Sequence, residues 1–390
     1  MTSRTNRSGE VSFLLRCCAP KSTRPAAPPG VDFDWSWLEQ AARAQGVLPL
    51  VARSLATLDD PPHPIRDRIR TSAVAIELRN EYLAARLIEL MGEFARNAIA
   101  LLAFKGPILA QLAYGDPGLR VFADLDILVR KADVPRAAHL LERLGFAGDY
   151  FDHVAFQSDF FHAVEINFRA REGDLNLDLH WDLAPGYYPF GPRGDAVWQR
   201  ASVVPLGERQ VPTLAPEDHL LFLAVHASRH GWPLLSQICD VAYFASRVKL
   251  DWATLTERAS RTGCARMLNL GLMLAAGLLA AELPAGALQG ADAETRSSVA
   301  RLAAQFCSEA SPADSTIGSV TRSLVGIEQT GERVRYLLLH ALAPTLIDAH
   351  YCPLPRWLYP AYYLVRPIRI GLRGTRSLGA AARAHMRRES

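Results

Sequence analysis

The stretch Phe122-Ala-Asp-Leu-Asp-Ile-Leu-Val129 limits what this chain can become more than any other. Side chains alternate faces along a strand, so Ala123, Leu125, Ile127 and Val129 point into a core, while Asp124 and Asp126 leave together from the other face. The segment therefore asks for a sheet covered on one side and, at this point, open on the other. Two like charges side by side on an apolar strand are costly unless water or a cation lies between them. A strand end with both carboxylates solvated meets that requirement. So does a divalent metal, and hard oxygen ligands suit Mg²⁺ (or Mn²⁺) held together with substrate phosphates. Their mutual repulsion also predicts that Asp126→Asn leaves the protein folded and slightly more stable.

The flanks add candidates. Ala100–Phe104 reads as a buried strand ending in Lys105-Gly106-Pro107, and Ile108–Tyr114 as a short helix closed by Gly115-Asp116-Pro117-Gly118. A glycine turn before a helix lets backbone approach phosphate oxygens, which makes Lys105 and Gly106 candidates for substrate contact, unless Lys105 turns outward to Asp116. Arg120 reads as a phosphate or acceptor contact, as an orienting partner of the Asp pair, or as an ion pair at the strand edge. Further on, Asp174-Leu-Asn-Leu-Asp-Leu-His-Trp181 alternates, with Leu175, Leu177, Leu179 and Trp181 on one face and Asp174, Asn176, Asp178 and His180 on the other. A third carboxylate on a neighbouring strand is what two-metal phosphoryl chemistry needs, to bind a second ion and draw a proton from a hydroxyl. Asp178, in mid-strand, is best placed; Asp174 and Asp182 are alternatives. His180 reads as structural, or as a support behind the ligands. His226 and His230, with Asp240 beyond, invite a zinc reading. Against it stand the missing Glu beside His226, the lack of a third His at a usual spacing, and Trp232-Pro233 directly after. Lining a cleft, or filling the core, suits these residues better.

Element order predicts an α+β fold rather than a doubly wound sheet. Residues 1–30, polar, basic and Pro-rich, are read as lacking fixed structure, and 31–98 as N-terminal helices packing on the core. A mixed-sheet core follows over 99–212, then an all-α domain over 213–355 and a basic aromatic tail over 356–390.

Charge is unevenly laid out. The net charge is +3, but the last 35 residues carry +7 and the first 25 carry +4, leaving −8 between. An acidic body does not track a nucleic-acid backbone, so no stable nucleic-acid binding is expected, whereas a nucleotide carrying its own metal suits it. Six scattered cysteines, no apolar run of membrane-spanning length and no signal peptide predict a soluble, cytoplasmic protein with reduced thiols. The tail from Arg356 reads as a last helix packed on the α domain, in preference to peripheral contact with an anionic membrane, because Pro360 and Pro367 interrupt a long amphipathic helix.

Lys105-Gly-Pro-Ile-Leu-Ala-Gln-Leu-Ala-Tyr-Gly-Asp-Pro-Gly-Leu-Arg120, Ala123–Val129 and Asp178-Leu-His-Trp181 together resemble the bacterial uncharacterised nucleotidyltransferase-like family of the polymerase β nucleotidyltransferase superfamily. The resemblance runs over about residues 75–250 and includes Glu217-Asp218 and His226, His230 and Asp240. It implies a small mixed sheet with flanking helices, metal on Asp124 and Asp126, and Asp178 as the third carboxylate. It also implies transfer of a nucleotidyl group from a nucleoside triphosphate to a hydroxyl on a small molecule, peptide, glycan or protein. Lys105-Gly106 departs from the superfamily's Gly-Ser turn. That departure keeps open the transfer of a phosphoryl or glycosyl group, or an inactive nucleotide- or partner-binding module.

Overall fold

The structure, a computed structural model, describes residues 7–20, 32–58, 63–148, 161–186, 188–190, 194–288, 291–308 and 324–371. Its fold is α+β. Five short strands form one sheet: β1 (Leu101–Ala103), β2 (Asp124–Val129), β3 (Phe146–Gly148), β4 (Glu165–Ala170) and β5 (Asn176–His180). They lie in the order β1-β2-β5-β4-β3, with β2 and β5 parallel and every other pair antiparallel. A separate hairpin joins β6 (Ser202–Leu206) to β7 (Arg209–Thr213).

The period of each segment explains the layers. Leu125 and Ile127 of β2 and Leu177 and Leu179 of β5 are buried in one core with Leu83, Leu87, Leu90 and Phe94. Those four recur at helical spacing along the helix His63–Arg96, so one stripe of a long helix covers the sheet. Val134, Ala137, Ala138 and Leu141, from the helix Val134–Arg143, fill the same core. The sheet's other face carries its polar residues, with Leu102 and Leu128 packed into the helical core.

A second core is made almost wholly of helices. Pro216–His230, Leu235–Arg247, Trp252–Arg261 and Ala265–Leu279 pack there with Trp35–Ala44 and Leu48–Leu55. Gln45, buried at the end of one N-terminal helix, accepts the Leu235 amide on its side chain at 2.8 Å and the Ser236 amide on its carbonyl at 3.1 Å.

Three features differ from the sequence reading. Ser8–Cys17, inside the stretch expected to lack structure, is a helix with Phe13, Leu14 and Cys17 buried; residues 1–6 and 21–31 lie outside the described residues. The first helices join the helical core, and only His63–Arg96 covers the sheet. The tail likewise turns back to the sheet: Tyr359 and Tyr362 are buried with Leu346 and Ala349 in the sheet's core, not in the α domain's. Among the described residues, no helix is long and apolar enough to cross a membrane.

Candidate active site

Parallel pairing of β2 with β5 sets the site. The register places Asp124 beside Asn176, Asp126 beside Asp178 and Leu128 beside His180. Because side chains repeat every second residue, the polar ones leave the sheet from one face while their leucine and isoleucine neighbours face the core. Antiparallel β4 then sets Asn167 opposite Asp178 and Glu165 opposite His180.

Asp126 is the centre. It is 3% exposed, and its Oδ1 accepts hydrogen bonds from Lys105 Nζ at 2.7 Å and His180 Nε2 at 3.1 Å. Its Oδ2 is equally buried and accepts none. Burial alone would raise the Asp126 carboxyl. The Lys105 ammonium and the His180 hydrogen bond outweigh burial and hold it well below the usual carboxylate range. Lys105 shows the reciprocal effect: burial opposes its charge, yet Asp126, then Glu165 and Asp124, keep its pKa above the ordinary lysine value. The Lys105 side chain therefore points into the site. Asp116 is occupied otherwise, accepting the Gly118 amide at 2.8 Å.

Asp178 and Asp124 carry the uncompensated charge. Burial first, and Asp126 second, push the Asp178 carboxyl up to about 6, although a hydrogen bond from Asn167 opposes the rise. Asp124 is raised by the same two causes. This reverses the expectation for Asp126→Asn, which would remove a partner that Lys105 and His180 already satisfy. Relief of repulsion belongs to Asp178 instead.

Ligand atoms of Asp126, Asp178 and His180 all lie within 4.8 Å of one another, close enough to share one metal ion. Asp124, expected as the first ligand, stands outside that cluster of three, and His180 stands inside it. His180 Nδ1 lies 3.2 Å from Glu165 Oε2, so a carboxylate sits behind the ring. A proton on Nδ1 donated to Glu165 would free the Nε2 lone pair for a metal, in place of the hydrogen bond that Nε2 otherwise gives Asp126. The donor set fits a divalent cation: two carboxylates, an imidazole held in tautomer by a third carboxylate, and a buried oxygen with no other partner.

Gly106 sits at φ +51°, and a Cβ there would lie 3.2 Å from the Asp124 carbonyl oxygen. Only glycine lets the turn after β1 pass this close to β2, and that closeness delivers Lys105 to Asp126.

The helical half closes the site from above. Phe104 packs edge-on against His180 and Phe222, with ring centroids at 5.1 and 5.0 Å, and Lys105 Nζ lies 5.6 Å from the Phe222 ring. His226 stacks between Phe222 and His230 at 5.4 and 4.7 Å. Burial, then Lys105, lower the His226 pKa well below the ordinary value, and burial with Arg229 brings His230 down to about 4. Both rings are neutral at physiological pH and line the cleft rather than adding charge to it.

Asp240 is remote from that pair. It accepts Arg120 Nε at 2.9 Å, Arg120 Nη2 at 3.0 Å and Tyr114 Oη at 2.8 Å, which bolts the loop before β2 to the helix Leu235–Arg247. Arg120 is thus a buried bidentate strut to the helical half, and its charge also acts on Asp124 and Asp126. Its Nη1 stays buried without a hydrogen bond.

Sequence reasoning passed over Glu165 and Asn167. Their signal was there, two polar residues alternating with Ile166 and Phe168, but nothing in the sequence said that this segment lies beside β5.

Carboxylates presented by adjacent strands of a small mixed sheet, beneath a helical half, make the frame of a nucleotidyltransferase-like protein. Comparison with known proteins gives the same result. A sequence model of the family described as uncharacterised nucleotidyltransferase matches residues 31–280, and the chain belongs to that family. No curated protein matches the chain. A crystal structure of an antigenic nucleotidyltransferase-like protein from Paracoccidioides brasiliensis aligns over 56% of this chain and 95% of its own, at 13% identity and a TM-score of 0.31. That likeness is too low to bear on the chemistry.

Proposed function

We propose that the protein is a divalent-metal-dependent nucleotidyltransferase that moves a nucleotidyl group from a nucleoside triphosphate to a hydroxyl-bearing acceptor. One observation carries the reading. Asp126 has one oxygen bonded by Lys105 and His180 and the other buried and unpaired, and its carboxylate lies within metal-sharing reach of Asp178 and His180. A buried carboxylate oxygen left without a donor costs about 1–3 kcal/mol, and a bound cation removes that cost.

Asp126 and Asp178, with His180, would hold Mg²⁺ or Mn²⁺, and Asp124 would join through the triphosphate side. The bound ion would neutralise phosphate charge as it develops on the leaving pyrophosphate. The remaining steps belong to the chain. Lys105 lends a compact charge to the donor's phosphates from its place on Asp126, and the unpaired Nη1 of Arg120 gives a second donor. Asp178 takes the proton of the acceptor hydroxyl. Its oxygen attacks the α-phosphorus, the bond to the bridging oxygen breaks, and pyrophosphate leaves. In the metal-free protein the Asp178 carboxyl is pushed up to about 6, a better base than an ordinary aspartate and still ionised at neutral pH; a bound ion would lower it.

Labelled nucleotides test this. The protein is incubated with Mn²⁺ or Mg²⁺, a host lysate as acceptor source, and each of the four triphosphates labelled at the α- or the γ-phosphorus. Retained α-label with release of pyrophosphate supports the reading. Transfer of γ-label alone replaces it with phosphoryl transfer. Nucleotide binding without transfer of either label leaves a binding module.

A further inference from the structure

The C-terminal helices bury one side and leave the other apolar and in water. Along Thr330–Leu342, Val334, Leu337, Leu338 and Leu342 are exposed, at spacings that place them on one face. Beyond it, Trp357 is 77% exposed on the turn Arg356–Ala361, and Leu364 and Ile368, 69% and 63% exposed, share a face of the helical residues 362–371. The opposite side is firmly held. Tyr359 and Tyr362 enter the sheet's core, and Arg366 and Arg369 pair with fully buried Asp348 at 3.3 and 2.6 Å. Arg366 also donates to the His340 carbonyl at 2.8 Å, which ties this stripe to the end of the first helix. The apolar stripe is therefore presented by an anchored element. A tryptophan so far out, in line with leucine and isoleucine, marks a surface that something else covers.

Charge selects what covers it. Between Asp348 and Glu389 the sequence holds eight arginines and no acid; Asp348 takes up Arg366 and Arg369, which leaves six, whereas residues 26–355 sum to −8. A symmetric contact with a second copy would bring two such arginine segments together, because an isologous interface meets itself. An anionic surface meets this end favourably and repels the acidic remainder. We infer that this face docks on an anionic lipid bilayer. Trp357, Leu364 and Ile368 enter the headgroup boundary with Tyr351, 59% exposed, and the arginine charge of the sequence not taken up by Asp348 draws this end to lipid phosphates. The protein lies on the membrane without crossing it, in keeping with the absence of a spanning helix among the described residues.

Vesicle co-sedimentation of the full chain decides this. Expected are binding to phosphatidylcholine–phosphatidylglycerol vesicles, little to phosphatidylcholine alone, and weakening by salt. The double substitution Leu364→Glu/Ile368→Glu, at exposed positions, should lower the partition by at least about tenfold. Its melting temperature should stay unchanged, which separates lost docking from lost folding. Failure of the wild type to bind anionic vesicles would overturn the inference. So would unchanged binding by the double variant, which would assign the attraction to charge alone. A dimer in solution that the same substitution dissociates would show instead that a second copy covers the face.

Discussion

Asp178→Asn should stabilise the protein while disabling it. The Asp178 carboxyl has a pKa of about 6 in the folded state against about 3.9 for an ordinary aspartate. A carboxyl raised by folding supports the fold fully below about pH 4, where it is protonated in both states, and loses that support as pH rises through 6. A difference of about two units is worth about 3 kcal/mol at neutral pH. From this is subtracted about 1 kcal/mol for the hydrogen bond from Asn167, which is stronger to a carboxylate than to an amide. Partial exposure of Asp178 reduces the remainder further, to a net gain of about 1–2 kcal/mol. The unfolding entropy of a 390-residue chain, about 0.8 kcal/mol/K, turns this into a rise of about 1–2.5 °C in melting temperature. Scanning calorimetry in chelator at pH 7.5 and at pH 5 is the assay. The advantage should be present at the higher pH and fall by about half at the lower, where the folded carboxyl is already mostly protonated. Addition of Mn²⁺ should reverse the ranking, since only the wild type keeps the full ligand set. A variant no more stable than wild type at pH 7.5, or an advantage indifferent to pH, would refute the placement of Asp178 beside Asp126.

Lys105→Met should cost about 3–5 kcal/mol, because it strips a buried carboxylate of its cation, and Mn²⁺ should raise the melting temperature of this variant more than that of the wild type. Glu165→Gln should weaken metal affinity about 10–100-fold by titration calorimetry, through loss of the carboxylate behind His180, while nucleotide-free stability changes little. Arg120→Lys should lose the two-pronged contact with Asp240 and destabilise by about 2–4 kcal/mol in urea, since a single ammonium cannot replace a bidentate guanidinium.

The sequence made the sheet's polar face legible because a strand's period is 2 and the alternation around Asp126 and Asp178 is unbroken. It also marked the turn that brings in Lys105, since Gly106 and Pro107 admit few backbone paths. It gave no access to lateral order. That β4 lies against β5, and so brings Glu165 to His180 and Asn167 to Asp178, depends on pairing between segments, which local periodicity does not encode. The contact of Lys105 with Asp126 was hidden for the same reason: Asp126 lies on the adjacent strand, and one-dimensional spacing shows no such neighbour. Ser8–Cys17 was hidden by its surroundings, because basic and Pro-rich composition outweighed the apolar spacing of Val11, Leu14 and Cys17. The tail's return to the sheet was hidden as well, since Tyr359 and Tyr362 read equally well as core or as surface aromatics.

The bond between Gln45 and Leu235 closes across 190 residues of chain. The first helices share a core with helices beyond residue 216, so the entire sheet is made between two parts of one hydrophobic unit. On a ribosome adding about 5–20 residues per second, the N-terminal helices wait about 10–40 s with Phe13, Leu38 and Leu50 unburied before their partners emerge. The sheet waits as well, since Leu346, Ala349, Tyr359 and Tyr362 of the tail complete its core. Vectorial synthesis thus gives this protein a period of exposed apolar surface at its leading end, and its yield in cells should depend more on holding chaperones than its final stability would suggest.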